Sequence, residues 1–547
     1  MPRFAPTTRL ATHEVSNQPP ELVDLNLYAT DLALREAVRR EAGDWLDQRA
    51  SALGSAAGSE QVLAWGEAAN RYPPELLTFD RYGRRIDEVR FHPSYHCLMT
   101  LAMDHQIHDV AWTTDQPGGH VAHAALLAIF TQAEAGTMCP INMTYACVPA
   151  LRAQPDVTAP WLGKLLGGRY DPTLQPLAQK GGVTLGMAMT EKQGGSDVRA
   201  NTTRAFPLGD GRYRLVGHKW FCSAPMSDGF LTLAYAEGGL TCFLVPRITP
   251  DGERNSIRLM RLKDKLGNRS NASAEIEYHD AVAWRLGEEG RGVKVIIDMV
   301  HHTRLGTIAG TLGIMRMALA QAVNHVTGRR VFQKALIDQP AMTAVIADLA
   351  LEYEAAAALV MHVARAFDGT DEAGRAYARL TVALAKYWLT KRCANFVYEC
   401  MECHGGVGYV EETPMPRLFR ESPLNAIWEG SGNVIALDVL RTLHKEPAAL
   451  EAYASEVALA RGGDGRLDLA AAEVLGRLRA GGVGEAQARR LTERLALVLQ
   501  AALLVRHAPP AIADAFCATR LAGDWGYSFG TLSQGADIHA IVARQQA

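Results

Sequence analysis

The chain has 547 residues, of which 48% are hydrophobic and 21% are charged, the balance of a soluble globular protein. Because this length exceeds what one hydrophobic core supports, we expect two to four domains. The formal net charge of −3 supplies no whole-chain attraction to nucleic acid or to an anionic membrane, so such a partner would have to be held by a local patch.

The N-terminus and the cysteines indicate a cytoplasmic protein. Residues 1–6 lack the apolar core of a signal peptide. The most apolar run, Leu495 to Val505, is about half of the ~20 residues that a membrane helix needs. The nine cysteines are odd in number and scattered, which is typical of a reducing compartment. We therefore expect a cytoplasmic chain without a membrane span.

One cysteine pattern matches a cofactor signature. Cys400-Met401-Glu402-Cys403-His404 has the C-x-x-C-H spacing of a c-type haem attachment site. That attachment needs export, and the sequence shows no export signal. The five residues follow a helical stretch from Leu380 to Glu399, so packing at a helix end is the favoured interpretation. No other group of Cys and His has the spacing of a zinc site, and no metal site is predicted.

Residues 1–180 are predicted to be a mostly helical domain. Apolar residues recur at helical spacing from Asp31 to Asp47, and the almost wholly apolar Ala122 to Glu134 is typical of a buried helix. Met138 to Pro149 continues that character. The block is predicted to be scaffold, and by itself it indicates no chemistry.

Near Gly181 the period of the apolar residues falls toward two, which indicates a β-domain over residues 181–285. Leu208-Gly209-Asp210-Gly211 has the chemistry of a hairpin turn. We expect a small antiparallel sheet inserted between helical blocks, with strands at Val198 to Phe206, Tyr213 to Phe221, Phe230 to Tyr235, Cys242 to Pro246 and Ala274 to Tyr278.

Helical patterns return near residue 286, so the fold class is mainly α with an inserted antiparallel β-domain. Residues 286–445 predict a four-helix bundle, and residues 446–547 predict an Ala-rich helical extension. The helices predicted within this region are Val293 to Val300, Gly306 to Val326, Pro340 to Phe367, Ala373 to Glu402 and Asn433 to His444.

A single carboxylate, Glu429, separates a bulky apolar run from a Gly-Ser-Gly turn. Its neighbours Ile427 and Trp428 would desolvate the carboxyl and raise its pKa toward the working pH of a general base. The glycines let the backbone approach a planar ligand, and Ser431 can cap the helix that follows. The alternative is an ordinary helix N-terminus with an acid near its positive end.

Two stretches of the β-domain carry polar groups suited to a ligand. Thr190 to Asp197 contains a Gly-Gly-Ser loop whose N–H groups and hydroxyl can face an anion such as a pyrophosphate, although it is neither a P-loop nor a G-x-G-x-x-G motif. Gly217 to Ser223 is rich in aromatic residues and ends in a hydroxyl, which suits the face and edge of a flat heterocycle. The alternatives are a plain hairpin loop and a core strand.

The order Thr-Glu-x-x-x-Gly-Ser-Asp, His-Lys-Trp-Phe, Arg-x-x-Phe, Gly-Gly-x-Gly-Tyr and Trp-Glu-Gly resembles that of the acyl-CoA dehydrogenase flavoproteins over residues 1 to about 445. Within that family the chain resembles the AidB branch, which is linked to the adaptive response to DNA alkylation and shares the extra C-terminal hundred residues. The resemblance is close at Thr190 to Asp197, at Arg261 to Ala272 and at Ile427 to Asn433.

The resemblance implies an FAD site between the β-domain and the bundle. It implies that Glu429 removes the α-proton of an acyl-CoA while the β-hydrogen leaves as hydride to the flavin. Thr190 and Ser223 would hydrogen-bond the flavin ring, Phe221 would pack on it, and Ser196 would touch the pyrophosphate. Further cofactor-binding residues implied in the same way are Met187, Gly195, Trp428, Gly430, Ser431 and Asn433.

Two arginines are also implied to bind ligands. Arg304 matches a family arginine near the CoA channel. Arg329 matches the arginine that reaches the FAD of a neighbouring subunit, where a guanidinium can fork a pyrophosphate, and this role implies the family's homotetramer. At the same contact Gln333 replaces a glycine, and Glu402 and Pro340 replace frequent glutamines. We expect FAD to bind, with an altered or weaker hold on its dinucleotide half.

Two functions remain open. One is the oxidation of a fatty or branched acyl-CoA such as isovaleryl-CoA, which the AidB resemblance implies to be weak, with a purely metabolic acyl-CoA dehydrogenase as the alternative. The other is binding and protection of duplex DNA by the extension during alkylation stress.

The charge of the extension gives the DNA hypothesis limited support. From residue 441 to 547 there are twelve Lys and Arg against eleven Asp and Glu. Phosphate binding depends on clustered cations more than on net charge. A solvated helix face is the alternative. The candidate DNA contacts are Arg441, Arg477, Arg479, Arg489, Arg490 and Arg494.

Overall fold

The computed structural model describes residues 5–546; residues 1–4, part of the N-terminal stretch considered above, and residue 547 lie outside it. The chain forms a helical block, then a β-domain, then a helical bundle and a helical extension, which confirms the predicted fold class. The domain boundaries at 180, 285 and 445 stay a prediction.

The N-terminal block is mostly helical, as predicted, but it also contains a β-hairpin that the sequence patterns did not reveal. The helix predicted from Asp31 ends at Glu41 because Gly43 adopts a positive φ of 91°. Every residue of the helix Gly119–Ala133 is buried, which explains its apolar character all round. The elements are α1 Leu32–Glu41, α2 Asp47–Ala57, α3 Glu60–Arg71, β1 Glu75–Phe79, β2 Arg85–Arg90, α4 Pro93–Asp104, α5 Val110–Thr113, α6 Gly119–Ala133, α7 Met138–Ala146, α8 Val148–Leu151 and α9 Pro155–Leu165.

The β-domain is a seven-stranded sheet in which β6, β4, β5, β9 and β7 form a closed ring of strand pairings. Its strands are β3 Leu185–Ala188, β4 Arg204–Gly209, β5 Arg212–Ser223, β6 Gly229–Ala236, β7 Gly239–Pro246, β8 Ile257–Leu262 and β9 Ser273–Leu286. Strand β6 pairs with β7, β7 with β9, β9 with β5 and β5 with β4, and β4 meets β6 again. The hairpin turn predicted after Leu208 joins β4 to β5.

The sheet differs from the prediction in three respects. Strands β3 and β4 run parallel to β6, while the other pairings are antiparallel. Strands β3 and β8 were not predicted, since one is only four residues long and the other carries two arginines. The strand predicted from Val198 begins only at Arg204, because the N–H groups of Thr202 and Thr203 donate to the Glu191 carboxylate instead of to a strand.

The bundle contains one very long helix where two were predicted. The 37-residue α10, Gly292–Gly328, runs through Gly306 without a break. A Cβ at Gly306 would lie 1.9 Å from the amide oxygen of Asn142, so this glycine permits close helix packing. The remaining elements are β10 Arg330–Val331, β11 Lys334–Ala335, α11 Pro340–Ala366, α12 Glu372–Glu402, α13 Met415–Glu421 and α14 Gly432–Lys445.

The extension packs against the bundle. Its elements are α15 Pro447–Ala458, α16 Gly465–Ala480, α17 Ala488–His507, α18 Pro510–Phe516 and α19 Ile538–Ala543. Helix α17 contacts α11, α12 and α14. Beyond α18, the buried Arg520 forms ion pairs with Asp348 and Glu352 of α11. Over residues 5–546, no helix is long and apolar enough to cross a membrane.

The C-x-x-C-H pattern lies where α12 ends. Cys400 and Cys403 are buried, and the ring Nδ1 of His404 lies 2.8 Å from the carbonyl oxygen of Cys400. The interpretation as helix-end packing is confirmed. In the described part of the chain, no three His, Cys, Asp or Glu side chains are grouped so that they could hold a metal ion.

Candidate active site

The turn that carries Glu429 has an unusual backbone. Glu429 has φ +57° and Gly430 has φ +102°, both in the left-handed region. This conformation costs a residue with a Cβ about 1–3 kcal/mol and persists only where the surrounding structure fixes it. Ser431 occupies the cap position of α14, but its side chain makes no capping hydrogen bond, so that expectation is wrong.

The Glu429 carboxylate lies at the side of α10. Thr303 Oγ1 donates a hydrogen bond of 2.7 Å to Glu429 Oε2. Burial raises the pKa of Glu429 above the ordinary value, while Thr303, Lys386 and Arg304 oppose that rise. The carboxyl therefore has the environment expected of a general base.

The source of this burial differs in part from the prediction. Ile427 is 64% exposed, so it does not desolvate the carboxyl in this structure. Trp428 is half-buried, and its indole Nε1 donates to Asn425 Oδ1 at 2.9 Å. Asn425 in turn donates to Thr311 of α10 at 3.0 Å. Helices α10 and α12 supply the enclosure that the sequence analysis assigned to Ile427.

Arg304 is buried and contacts protein groups on both sides. Its Nη1 lies 2.8 Å from Asp438 Oδ2, and its Nε donates to the carbonyl of Glu429 at 3.2 Å. The guanidinium is thus bound to the turn that carries Glu429. A contact between Arg304 and a CoA ligand stays a prediction.

The predicted pyrophosphate loop is anchored at Glu191 by a buried ion pair. Glu191 accepts from Lys219 Nζ at 2.9 Å and from Thr203 Oγ1 at 2.6 Å. Although burial opposes it, the ammonium and the hydroxyl hold the pKa of Glu191 below its usual range. The loop beyond it leaves Gly195 and Ser196 exposed, as a ligand contact requires.

The other residues predicted to contact the flavin are either exposed or half-buried. Phe221 is an aromatic residue left 46% exposed on β5. Ser223 Oγ lies 3.2 Å from Ser273 Oγ, while Met187 is half-buried on β3. Ser431 and Asn433 are exposed at the start of α14. Their accessibility is compatible with contacts to the ring and phosphates of a flavin dinucleotide, and those contacts stay a prediction.

Cys139, Lys265 and Asn271, to which the sequence patterns assign no role, lie beside this site. Burial raises the pKa of the Cys139 thiol to about 12, with Lys265 lowering it and Glu429 raising it further. The Cys139 thiol also lies beside Ser223 and Asn271. These contacts bring the predicted flavin edge and the predicted base to one buried centre.

Asn271 is the residue most suggestive of a ligand at that centre. It is 1% exposed, yet both its amide nitrogen and its amide oxygen have no hydrogen-bond partner among the described residues. A buried amide with both polar atoms unpaired is costly and fits a ligand edge that offers a donor and an acceptor. Asn271 lies within the stretch Arg261 to Ala272 that resembles the family closely, but the sequence does not show that its amide is buried and unpaired.

Arg329 lies at the opposite end of α10, about 37 Å along the helix axis from Arg304 at 1.5 Å per residue. Its Nη1 donates to the carbonyl of Asn17 at 2.8 Å. The adjacent β10–β11 hairpin presents Phe332, which is 88% exposed and has φ +51°. The structure therefore does not bring Arg329 to the Glu429 centre of its own chain.

The candidate DNA-binding arginines are mostly engaged with neighbouring groups. Arg477 donates to Gln487 and Arg489 to the hydroxyl of Tyr387, while Arg490 makes no hydrogen bond or ion pair within residues 5–546. The remaining three lie near acidic residues, with N–O distances of 3.6 Å from Arg441 to Asp438, 3.8 Å from Arg479 to Glu451 and 3.6 Å from Arg494 to Glu473.

Known proteins resemble this chain over most of its length. The family model described as the AidB N-terminal domain matches residues 17–172. The acyl-CoA dehydrogenase middle domain matches residues 186–281, and the C-terminal domain matches residues 290–444. The protein AidB of Escherichia coli (strain K12) is 46% identical over 513 residues, covering 93% of this chain and 94% of that protein.

A more distant relative extends the comparison to a solved structure. Acyl-CoA dehydrogenase family member 11 of Caenorhabditis elegans is 31% identical over 418 residues, covering 73% of this chain and 67% of that protein. The crystal structure of ACDH-11 from that organism in complex with C11-CoA superposes with a TM-score of 0.82 at 26% identity, covering 99% and 95% of the two chains. The chain therefore belongs to the acyl-CoA dehydrogenase family of oxidoreductases and, within it, to the AidB branch.

Proposed function

We propose that this protein is an FAD-dependent acyl-CoA dehydrogenase in which Glu429 is the general base, with weak activity toward branched substrates such as isovaleryl-CoA. The observation that supports it most is the Glu429 carboxylate, which is hydrogen-bonded to Thr303, raised in pKa by burial and close to the Cys139–Ser223 centre. Family membership supports both the reaction class and the cofactor.

In this reaction the Glu429 carboxylate takes the proton from the carbon next to the thioester carbonyl. The β-hydrogen departs with its electron pair, so a double bond forms between the α- and β-carbons. FAD, when bound, supplies the acceptor for that hydride. Thr303 keeps the carboxylate oriented by donating to Oε2, so that one oxygen remains for the substrate proton.

The test is anaerobic loss of the flavin absorbance on mixing with isovaleryl-CoA and with straight-chain acyl-CoAs. Glu429→Gln retains size and polarity but cannot accept the proton, so the rate should fall by about 10²–10⁴-fold. Glu421→Gln is the matched control, since Glu421 is also a buried carboxyl with a raised pKa. Undiminished bleaching in Glu429→Gln would assign the base to another carboxylate, and a flavin-loaded wild type that no acyl-CoA bleaches would contradict the enzymatic function.

A homotetramer belongs to the same proposal. The distance of Arg329 from Arg304 and the exposure of Phe332 favour a second subunit at that end of α10. Sedimentation should give a tetramer, and Arg329→Ala should lower the FAD content without changing the fold. A monomeric wild type with full FAD content would contradict this part.

Binding of duplex DNA is a second candidate function. It is supported by the exposure of Arg477, Arg479, Arg489 and Arg490 around the connection between α16 and α17. Changing these four and Arg494 to glutamine should reduce the log–log salt slope of DNA binding by about 0.9 for each phosphate that is no longer neutralised.

The matched control for the DNA test is glutamine at both Arg212 and Arg214. These arginines lie on the β4–β5 hairpin with side chains open to solvent and, like Arg479 and Arg494 of the cluster, lie near acidic residues. A salt slope that the five changes leave at the wild-type value would identify the cluster as a solvated helix face.

A further inference from the structure

The turn around Glu429 needs an external support. Glu429 has φ +57°, a conformation that is unfavourable for any residue with a Cβ and that persists only where the surroundings over-determine it. Ser431 supplies no capping hydrogen bond, and Ile427 is exposed, so neither neighbour fixes the turn. The support comes from two helices distant in sequence.

Three consecutive carbonyl groups of this turn are held by two buried cations. Lys386 Nζ donates to the carbonyl of Trp428 at 2.7 Å and to the carbonyl of Gly430 at 2.5 Å. Between them, Arg304 Nε donates to the carbonyl of Glu429 at 3.2 Å. Lys386 lies in the middle of α12 and is 1% exposed.

We propose that Lys386 is a positioning residue for the general base, whose ammonium holds the carbonyls on both sides of Glu429 and so aims its carboxylate at Thr303 and the Cys139–Ser223 centre. The inference rests on the proposed role of Glu429. Lys386 touches neither the carboxylate nor a reacting atom. It acts through the backbone of the turn and through its charge.

A charge at this position is explained by the carboxylate. A buried ammonium is costly unless hydrogen bonds and an opposite charge compensate it. Two carbonyls supply the hydrogen bonds, and Glu429 supplies the opposite charge. Burial lowers the pKa of Lys386 to about 7, while the Glu429 carboxylate raises it, so the two ionised groups stabilise each other.

The other charged groups around the pair do not replace Lys386. Arg304 is neutralised in part by Asp438, with which its Nη1 makes a 2.8 Å contact. Lys391, five residues further along α12, acts on Lys386 as a like charge that lowers its pKa. The Cys139 thiol interacts with Glu429, and burial raises the pKa of this thiol to about 12. Arg304 divides its charge between Asp438 and Glu429. Lys386 is therefore the counter-charge of Glu429 that no other carboxylate neutralises.

The first test is the pH dependence of flavin reduction in Lys386→Met. Glu429 must be ionised to act as a base, so the rate is lost as the pH falls through its pKa. Because the Lys386 charge lowers that pKa, its removal should move the acid limb upward by about one pH unit, a tenfold loss of rate at a pH on the limb. Lys386→Arg, which keeps the charge and the donors, should restore the limb toward its wild-type position.

The second test is independent of activity. With the carbonyls of Trp428 and Gly430 unpaired, backbone amide exchange in residues 427–433 should be faster by about tenfold or more in Lys386→Met. Lys180→Met is the matched control, because Lys180 is also buried and ion-paired, with Asp228, but lies in another part of the fold. It should change neither the acid limb nor exchange in that segment.

The outcomes separate this inference from the proposed function. If Glu429→Gln abolishes reduction but Lys386→Met leaves both the acid limb and the exchange at wild-type values, the role of Lys386 is overturned and the base stands. If Glu429→Gln reduces flavin as fast as wild type, the proposed function fails first. Should Lys386→Met not fold, Lys386→Gln removes the charge while keeping a donor, and the same shift of the limb is expected.

Discussion

Two buried cations, Lys386 of α12 and Arg304 of α10, donate hydrogen bonds to backbone carbonyl groups of the turn that carries Glu429. At the connection between α16 and α17, Arg479 and Arg490 are exposed; Arg479 lies near a single acid, and Arg490 has no polar partner among the described residues. Water screens exposed charges and weakens their interactions, whereas buried charges act strongly and in fixed directions.

The difference indicates what each region is suited to do. The first arrangement is preorganised and can orient one carboxylate for proton transfer. The second has little internal order and can at most attract an anionic polymer through salt-dependent contacts. The arginines of the extension are clustered along the sequence, whereas Lys386 and Arg304 come together only in the fold, where both are buried.

The largest expected effect comes from a buried arginine within the extension itself. Arg520→Met leaves Asp348 and Glu352 without their shared partner in the interior. Loss of one member of a buried ion pair typically costs about 3–5 kcal/mol of unfolding free energy. Urea unfolding measures it, with Arg490→Met as the exposed control, expected within about 0.5 kcal/mol of wild type. Equal effects of the two changes would erase the distinction between buried and exposed arginines.

Thr303→Val tests whether the hydrogen bond from Thr303 controls the pKa of Glu429. It removes a hydrogen bond to the ionised carboxylate, an interaction of about 1.5–3 kcal/mol, and so should raise the pKa of Glu429 by about one to two units. The acid limb of flavin reduction should move upward by that amount, while Thr303→Ser should leave it near the wild-type position. A limb that does not move in Thr303→Val would mean that the 2.7 Å hydrogen bond does not control the base.

Glu421→Gln tests a buried carboxyl whose pKa is governed by burial. Burial and then the nearby Glu134 raise the pKa of Glu421 to about 7. Because the folded state holds this proton more tightly than the unfolded state does, the protonated carboxyl favours folding. That contribution to the unfolding free energy is fully present below the unfolded pKa and is lost as the pH rises through about 7. Glutamine mimics the protonated form, so the variant should be more stable than wild type by about 1–3 kcal/mol at about pH 8 and close to it at about pH 4. Thermal unfolding at both pH values measures the difference, and a gain that is equal at both would contradict the titration.

The smallest effect concerns the cofactor contacts of the β-domain. Thr190→Ala combined with Ser223→Ala should weaken FAD binding by about 1 kcal/mol for each hydroxyl, measured as cofactor retained after dialysis. Thr249→Ala, in a turn elsewhere in the β-domain, is the control. Full retention in the double variant would remove these two hydroxyls from the flavin site.

Local sequence patterns determined most of the helices, the position of the sheet and the identity of the Glu429 turn. Helical periodicity and continuous apolar runs report one face or one element at a time, which is sufficient for α6 and α12. Residue order along the motifs was sufficient for the family. The prediction of two helices where α10 is continuous was wrong. Gly306 permits close packing against Asn142, and no local sequence pattern reveals that role.

The support of the base was decided only by the tertiary structure. Lys386 and Glu429 lie on different elements, and a lysine within a helical pattern is typical of a solvated residue until its surroundings are known. The same holds for Cys139 and Asn271, which become part of the site only because α7 and the loop before β9 meet the end of β5. Sequence specifies which groups are present along the chain, but burial and hydrogen bonding depend on which distant segments pack together, and these two properties determine whether a charge orients a base or remains solvated.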